Sequence, residues 1–133
     1  MVNAAEAYKR QQVLTATPEA LTLMLYNGCL KFMDEGIKAL SAEKPNYEQA
    51  NTYLQKAQNI ISEFRVTLDM QYDISKQLLL LYNYTYERLV QGNMKSDPKQ
   101  VEEAKAIITE LRDAWVQAMK KARAEKGPGG RYA

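Results

Sequence analysis

The sequence predicts an all-α protein: an antiparallel four-helix bundle over residues 17–124, with an N-terminal arm (1–16) before it and a disordered tail (125–133) after it. Three observations carry that prediction. Proline and glycine are scarce and stand mostly where helices would begin or end. Between them, apolar residues recur at alternating three- and four-residue steps, the period of a helix with one buried face, and never at the two-residue step of a strand. The four periodic stretches are separated by short links, which makes consecutive helices antiparallel neighbours. At 133 residues the chain suits one domain, long enough to bury a core without disulfides or a structural metal.

Taken in order, the arm has no pattern that fixes its local structure. Thr17-Pro18 then reads as an N-cap followed by proline at the first helical position, where its missing N–H costs nothing. The first bundle helix runs over 18–41 and is ended by the Lys44-Pro45 step. Asn46 caps the second, over 46–70, with Gln49 in the capping-box position. The link Asp69 to Asp73 holds neither glycine nor proline and is the vaguest boundary; Asp73 is the candidate cap of the third helix, over 73–92, which Gly92-Asn93 stops. Asp97-Pro98 restarts the chain for the fourth, over 98–124, again with a glutamine, Gln100, three residues on. The segment Lys126-Gly127-Pro128-Gly129-Gly130 cannot pack, hence the expected disorder.

The expected core follows the stripes. The fourth helix offers Val101, Ala104, Ile108, Leu111, Trp115, Ala118 and Ala122; the second Ala50, Leu54, Ala57, Ile61, Phe64 and Leu68; the third Ile74, Leu78, Leu81, Tyr82, Thr85 and Leu89. More apolar surface remains than these faces need. The third helix carries a second line, Leu79, Tyr86 and Val90, and the second has Tyr53 and Ile60 on a flank. The first helix is apolar on two nearly opposite sides, with Asn27, Lys31, Asp34 and Lys38 squeezed into a narrow polar face. Such a helix must be covered on more than one side, by the arm or by a partner.

Composition removes several classes of function. The 18 basic and 16 acidic residues give a net charge of +2, too balanced to indicate a nucleic-acid partner. No histidine is present, which removes the commonest general base and zinc ligand and the Glu-x-x-His pairs of di-iron bundles. Cys29 stands alone, so internal disulfides and thiolate metal sites are excluded, and it reads as a small buried residue. No Gly-rich phosphate loop precedes a helix. The N-terminal stretch lacks the apolar run of a signal peptide, and no stretch is apolar enough to span a membrane. The expectation is a cytoplasmic protein that is not an enzyme, holds no cofactor or metal, and makes no membrane insertion. The basic run Lys120, Lys121, Arg123, Lys126 and Arg131 suits a helix C-terminus in solvent.

Several segments together resemble the flagellin-specific export chaperones of bacterial flagella, over nearly the whole chain from Tyr8 to about Met119. They are Thr17-Pro18-Glu19-Ala20-Leu21-Thr22-Leu23-Met24-Leu25-Tyr26-Asn27-Gly28, Lys56-Ala57-Gln58-Asn59-Ile60-Ile61, Leu81-Tyr82-Asn83-Tyr84 with Arg88-Leu89, and Leu111-Arg112-Asp113-Ala114-Trp115. The resemblance implies a bundle with a mobile N-terminal segment that binds the disordered C-terminal region of flagellin. It also implies that the complex prevents premature polymerisation, is delivered to the flagellar type III export gate, and in some relatives is linked to regulatory proteins of flagellar assembly. On this reading the surplus stripes form the client groove: Tyr53, Ile60, Leu79, Tyr86 and Val90, with Tyr8, Val13 and Leu14 of the arm covering part of it when no client is bound. The rival reading is a self-associating adaptor whose surplus stripes form a homodimer interface.

Overall fold

The computed structural model describes residues 3–126; the glycine-rich tail expected to be disordered lies almost wholly outside them. Among the described residues the all-α class holds: there are five helices and no strand. They are α1 (Ala4–Thr15), α2 (Pro18–Ser41), α3 (Tyr47–Thr67), α4 (Asp73–Met94) and α5 (Pro98–Lys126).

Their starts follow local chemistry. Asn3, Thr17 and Asn46 each accept a hydrogen bond from the backbone N–H three residues on, satisfying one of the donors a helix leaves free at its first turn. The start of α4 differs from expectation. Asp73 is its first helical residue rather than its cap, and the N-cap, Tyr72, makes no side-chain capping bond. The turn is tied instead by Asp69, whose carboxylate accepts from the Gln71 N–H and whose carbonyl accepts from the Ser75 hydroxyl at 2.6 Å.

The end of α4 also departs from the sequence reading. Gly92 lies inside the helix, and the left-handed residue of the terminating turn is Ser96, at φ 51°. The Asp97 N–H closes that turn on the Gly92 carbonyl at 2.9 Å. Gly92 is there for lack of volume: a Cβ would stand 2.8 Å from a Val101 methyl and 3.2 Å from the Asp97 carbonyl oxygen. Gly36 does the same on α2, where a Cβ would come within 2.6 Å of Leu54 Cδ2 and 2.9 Å of its Cγ. The two glycines let α3 approach α2, and α5 approach α4, more closely than a side chain would allow.

Helix α2 packs on α3 and α5, and α4 packs on α3 and α5, so the four close into a ring. Cross-helix pairs give the directions. Gly36 faces Leu54, Cys29 faces Ala57 and Tyr26 faces Phe64, so residue numbers rise on one helix as they fall on the other. The α2–α5 pairs Asp34–Lys105, Asn27–Arg112 and Glu19–Trp115 run the same way. The core is apolar and close-packed, with Met33, Leu54, Ile61, Leu89, Val101 and Ile108 at zero or near-zero exposure. The expected α3 stripe is fully inside except for half-buried Leu68. On α4, Ile74 and Leu81 are exposed and Ser75 is buried; on α5, Ala118 and Ala122 are exposed.

Candidate functional site: an apolar cleft at one end of the helix ring

Helix α3 stops at Thr67 and α4 starts at Asp73, and the ring stays open at that end. A cleft of about 680 Å³ lies there, walled by Phe64 of α3 and its C-cap Leu68, Leu78 and Tyr82 of α4, and Leu111 and Trp115 of α5. Tyr26 of α2 also lines it, as do Tyr72 and Ile74 at the rim. Tyr72 is exposed and Ile74 is 58% exposed, so large apolar groups border the opening in contact with water.

An aromatic cluster holds the floor. The Phe64 ring lies 4.6 Å from that of Tyr26 and 5.3 Å from that of Tyr82, centroid to centroid. The two tyrosine hydroxyls meet at 2.7 Å. Burial pushes both phenols above their ordinary range, and for Tyr82 the bond to Tyr26 adds to the effect. Both therefore stay neutral hydroxyls at physiological pH. Trp115 is fixed by its indole N–H, which donates to the Glu19 carbonyl at 3.0 Å and ties α5 to the first turn of α2.

The residues expected to form the client groove lie elsewhere, on two separate seams. Tyr53 stacks on Phe32 of α2 at 6.2 Å, and Ile60 Cδ1 lies 3.8 Å from where a Cβ on Gly28 would stand, so both face α2. Tyr86 lies under the Arg65 guanidinium of α3 at 4.2 Å, on the seam between α3 and α4. Leu79 and Val90 are half-buried on the same side of α4 by spacing. All five are partly covered. The arm is the helix α1, which buries none of its residues, and Tyr8, Val13 and Leu14 are exposed. They cover neither the seams nor the cleft in this structure.

Sequence reasoning missed the cleft because most of its wall residues and Ile74 of its rim were assigned to the core, and Tyr72 of its rim to a link. One signal was available: Leu68, Met70 and Tyr72 put three large apolar groups into the connection between α3 and α4, where turn chemistry favours small polar residues.

The Cys29 thiol does not border the cleft. Cys29 is fully buried, with its thiol directed at the Ala57 carbonyl, and burial pushes it up to about 12. Among the described residues no His, Cys, Asp or Glu cluster is arranged to hold a metal, and no helix is long and apolar enough to cross a membrane.

Large apolar groups left in contact with water around a cleft are the kind of surface that marks a binding site for another chain. A family model described as flagellar protein FliS matches residues 1–122, and the chain belongs to the FliS family. It is 44% identical over 129 residues to the flagellar secretion chaperone FliS of Bacillus subtilis, covering 96% of each chain. It is 32% identical over 110 residues to that of Escherichia coli, covering 80% of this chain and 79% of the relative. The Vibrio cholerae chaperone of the same name is 31% identical over 123 residues, with 88% and 89% covered.

Proposed function

We propose that this protein is a cytoplasmic export chaperone that binds the disordered C-terminal region of flagellin, prevents its premature polymerisation and aids its delivery to the flagellar type III export apparatus. In this reading the helix ring is the antiparallel four-helix bundle of such chaperones. The observation that carries the proposal is the open apolar cleft with its exposed rim at Tyr72 and Ile74. A client whose amphipathic segments would otherwise assemble or aggregate can bury them there, and the ordering entropy it loses is offset by the apolar area removed from water. The relatives' shared name, flagellar secretion chaperone, supplies the export process.

The client path is proposed as well. One apolar segment seats in the cleft, and the flanking chain runs over the half-buried stripes at Tyr53 and Ile60 and at Leu79, Tyr86 and Val90. Helix α1 is joined to α2 by only Ala16 and Thr17, so its exposed Tyr8, Val13 and Leu14 are within reach of the cleft end. To serve as a stand-in cover until client binds, α1 swings onto the cleft from the uncovered position it holds in this structure. The loaded complex, rather than the free chaperone, meets the export gate, and contacts with flagellar regulatory proteins belong to the same reading.

The test mixes the full chain with the C-terminal segment of the flagellin of its own organism and follows mass by light scattering behind size exclusion. A one-to-one complex that forms from monomers supports the reading. A stable homodimer that ignores the segment sinks it in favour of self-association.

A further inference from the structure

The hydrogen-bond inventory of the cleft leaves one proton over. Two phenols carry two O–H donors, and at 2.7 Å only one proton can lie between their oxygens. Each hydroxyl has the other as its partner, so the second proton points to no acceptor among the described residues. Three other donors in the wall are spent. The Thr22 hydroxyl donates to the Pro18 carbonyl, the Thr67 hydroxyl to that of Glu63, and the Trp115 indole to that of Glu19. Tyr26 and Tyr82 are 5% and 3% exposed and both line the cleft, so a partner for the second proton has to come from the cleft. A buried donor without an acceptor is costly, and it becomes favourable once a ligand brings the acceptor.

We infer that the Tyr26–Tyr82 pair is the polar anchor of the cleft, donating one hydrogen bond to a neutral carbonyl oxygen of the apolar client segment seated there. A carbonyl fits better than a carboxylate, because the Asp69 side chain also lines the cleft and disfavours a second negative charge. A client helix that ends inside the cleft presents such oxygens, since its last carbonyls have no partner within the helix. The pair thus selects for what the segment presents at the cleft floor, over and above its hydrophobicity. The inference rests on the cleft being the client site.

The test compares the full-length wild type with Tyr26→Phe, Tyr82→Phe and the double variant. Calorimetric affinity for the flagellin C-terminal segment and the thermal midpoint without client are both measured. Phenylalanine keeps the three-ring cluster. Either single variant retains one free phenolic proton, so its affinity stays within about twofold, whereas the double variant binds roughly three- to tenfold more weakly. The double variant melts at or above the wild-type midpoint, because the unserved proton is gone. A double variant that binds like wild type overturns the inference. So does one that loses binding and melts lower or fails to fold, because the pair is then a core strut. Leu78→Arg, which fills the cleft, tests the underlying reading separately: if it binds normally, the client site is elsewhere, whatever the hydroxyls do.

Discussion

At the end of the ring where Gly36 and Gly92 lie, Leu54, Leu89 and Val101 are wholly buried and the helix backbones approach as closely as a missing Cβ allows. At the other end Tyr26, Phe64 and Tyr82 carry the contact, and Leu111, Trp115, Tyr72 and Ile74 surround a cleft. The same four helices pass through both ends, so helix propensity does not explain the contrast. Side-chain size does. Gly36 and Gly92 at the closed end leave no room for a Cβ, while the rings of Tyr26, Phe64 and Tyr82 fill the space between the helices at the open end. The stop of α3 at Thr67 then leaves Leu68 half-buried and the rim residues Tyr72 and Ile74 in contact with water. Close helix approach marks one region, and an apolar cleft with an exposed rim marks the other.

The largest effect tests the closed end. Leu54→Ala removes a side chain with no exposure that fills the space over Gly36, so the cost is the lost transfer term plus a cavity, about 2–5 kcal/mol. Urea denaturation should show it as a lower midpoint with an unchanged slope. Leu78→Ala, in the half-buried cleft wall, should cost about 1 kcal/mol or less. Equal losses would mean that the two ends do not differ.

Cys29 sits between the two ends and reports whether the opening reaches the core. Its thiol is neutral in the folded state and its pKa is raised by burial. The stability it contributes is therefore complete below about pH 9 and is lost as pH rises toward about 12. Compared with Cys29→Ala, the wild type should lose more stability between about pH 8 and about pH 10.5. An alkylating reagent at neutral pH should modify Cys29 only at the rate of global unfolding. Faster labelling without denaturant would show that the cleft breathes into the middle of the ring.

Ile74→Glu acts on the rim. The residue is 58% exposed, so folding stability should move by no more than about 0.5 kcal/mol. A charge at the mouth of an apolar cleft should weaken capture of the flagellin segment by about tenfold, or about 1.4 kcal/mol. Unaltered affinity would remove the rim from the client path.

Much of the closed end was legible in the sequence, because burial there follows helical period. Ala50, Leu54, Ala57, Ile61 and Phe64 are the inward face of α3, as their spacing requires. The open end was not legible. Periodicity says which face of a helix points inward but not where the neighbouring helix stops. Ile74 continues the α4 stripe past the point where α3 has ended, and so emerges into solvent. Ala118 and Ala122 do the same on α5: Trp115 already meets Glu19 in the first turn of α2, and the next turns of α5 pass beyond the start of that helix. The arm helix α1 escaped for a different reason. It buries nothing, so no core face marks it, and the Asn3 cap was its one local signal.

The smallest effect separates packing from charge at the closed end. Lys105 Nζ and the Asp34 carboxylate stand 2.6 Å apart across the α2–α5 seam, close enough to suggest that the pair clamps it. Both side chains are more than two-fifths exposed, at 42% and 43%. Water screens their attraction, and holding two flexible side chains in one geometry costs entropy, so the expected coupling is about 0–1 kcal/mol. A double-mutant cycle with Asp34→Asn and Lys105→Met should return a value in that range that shrinks as salt is raised. Larger and salt-resistant coupling would mean that an ion pair, and not the glycine-permitted approach of the helices, sets the difference between the ends. Because Gly36 and Leu54 meet inside the ring while Asp34 and Lys105 meet at its surface, packing is expected to dominate by a factor of several.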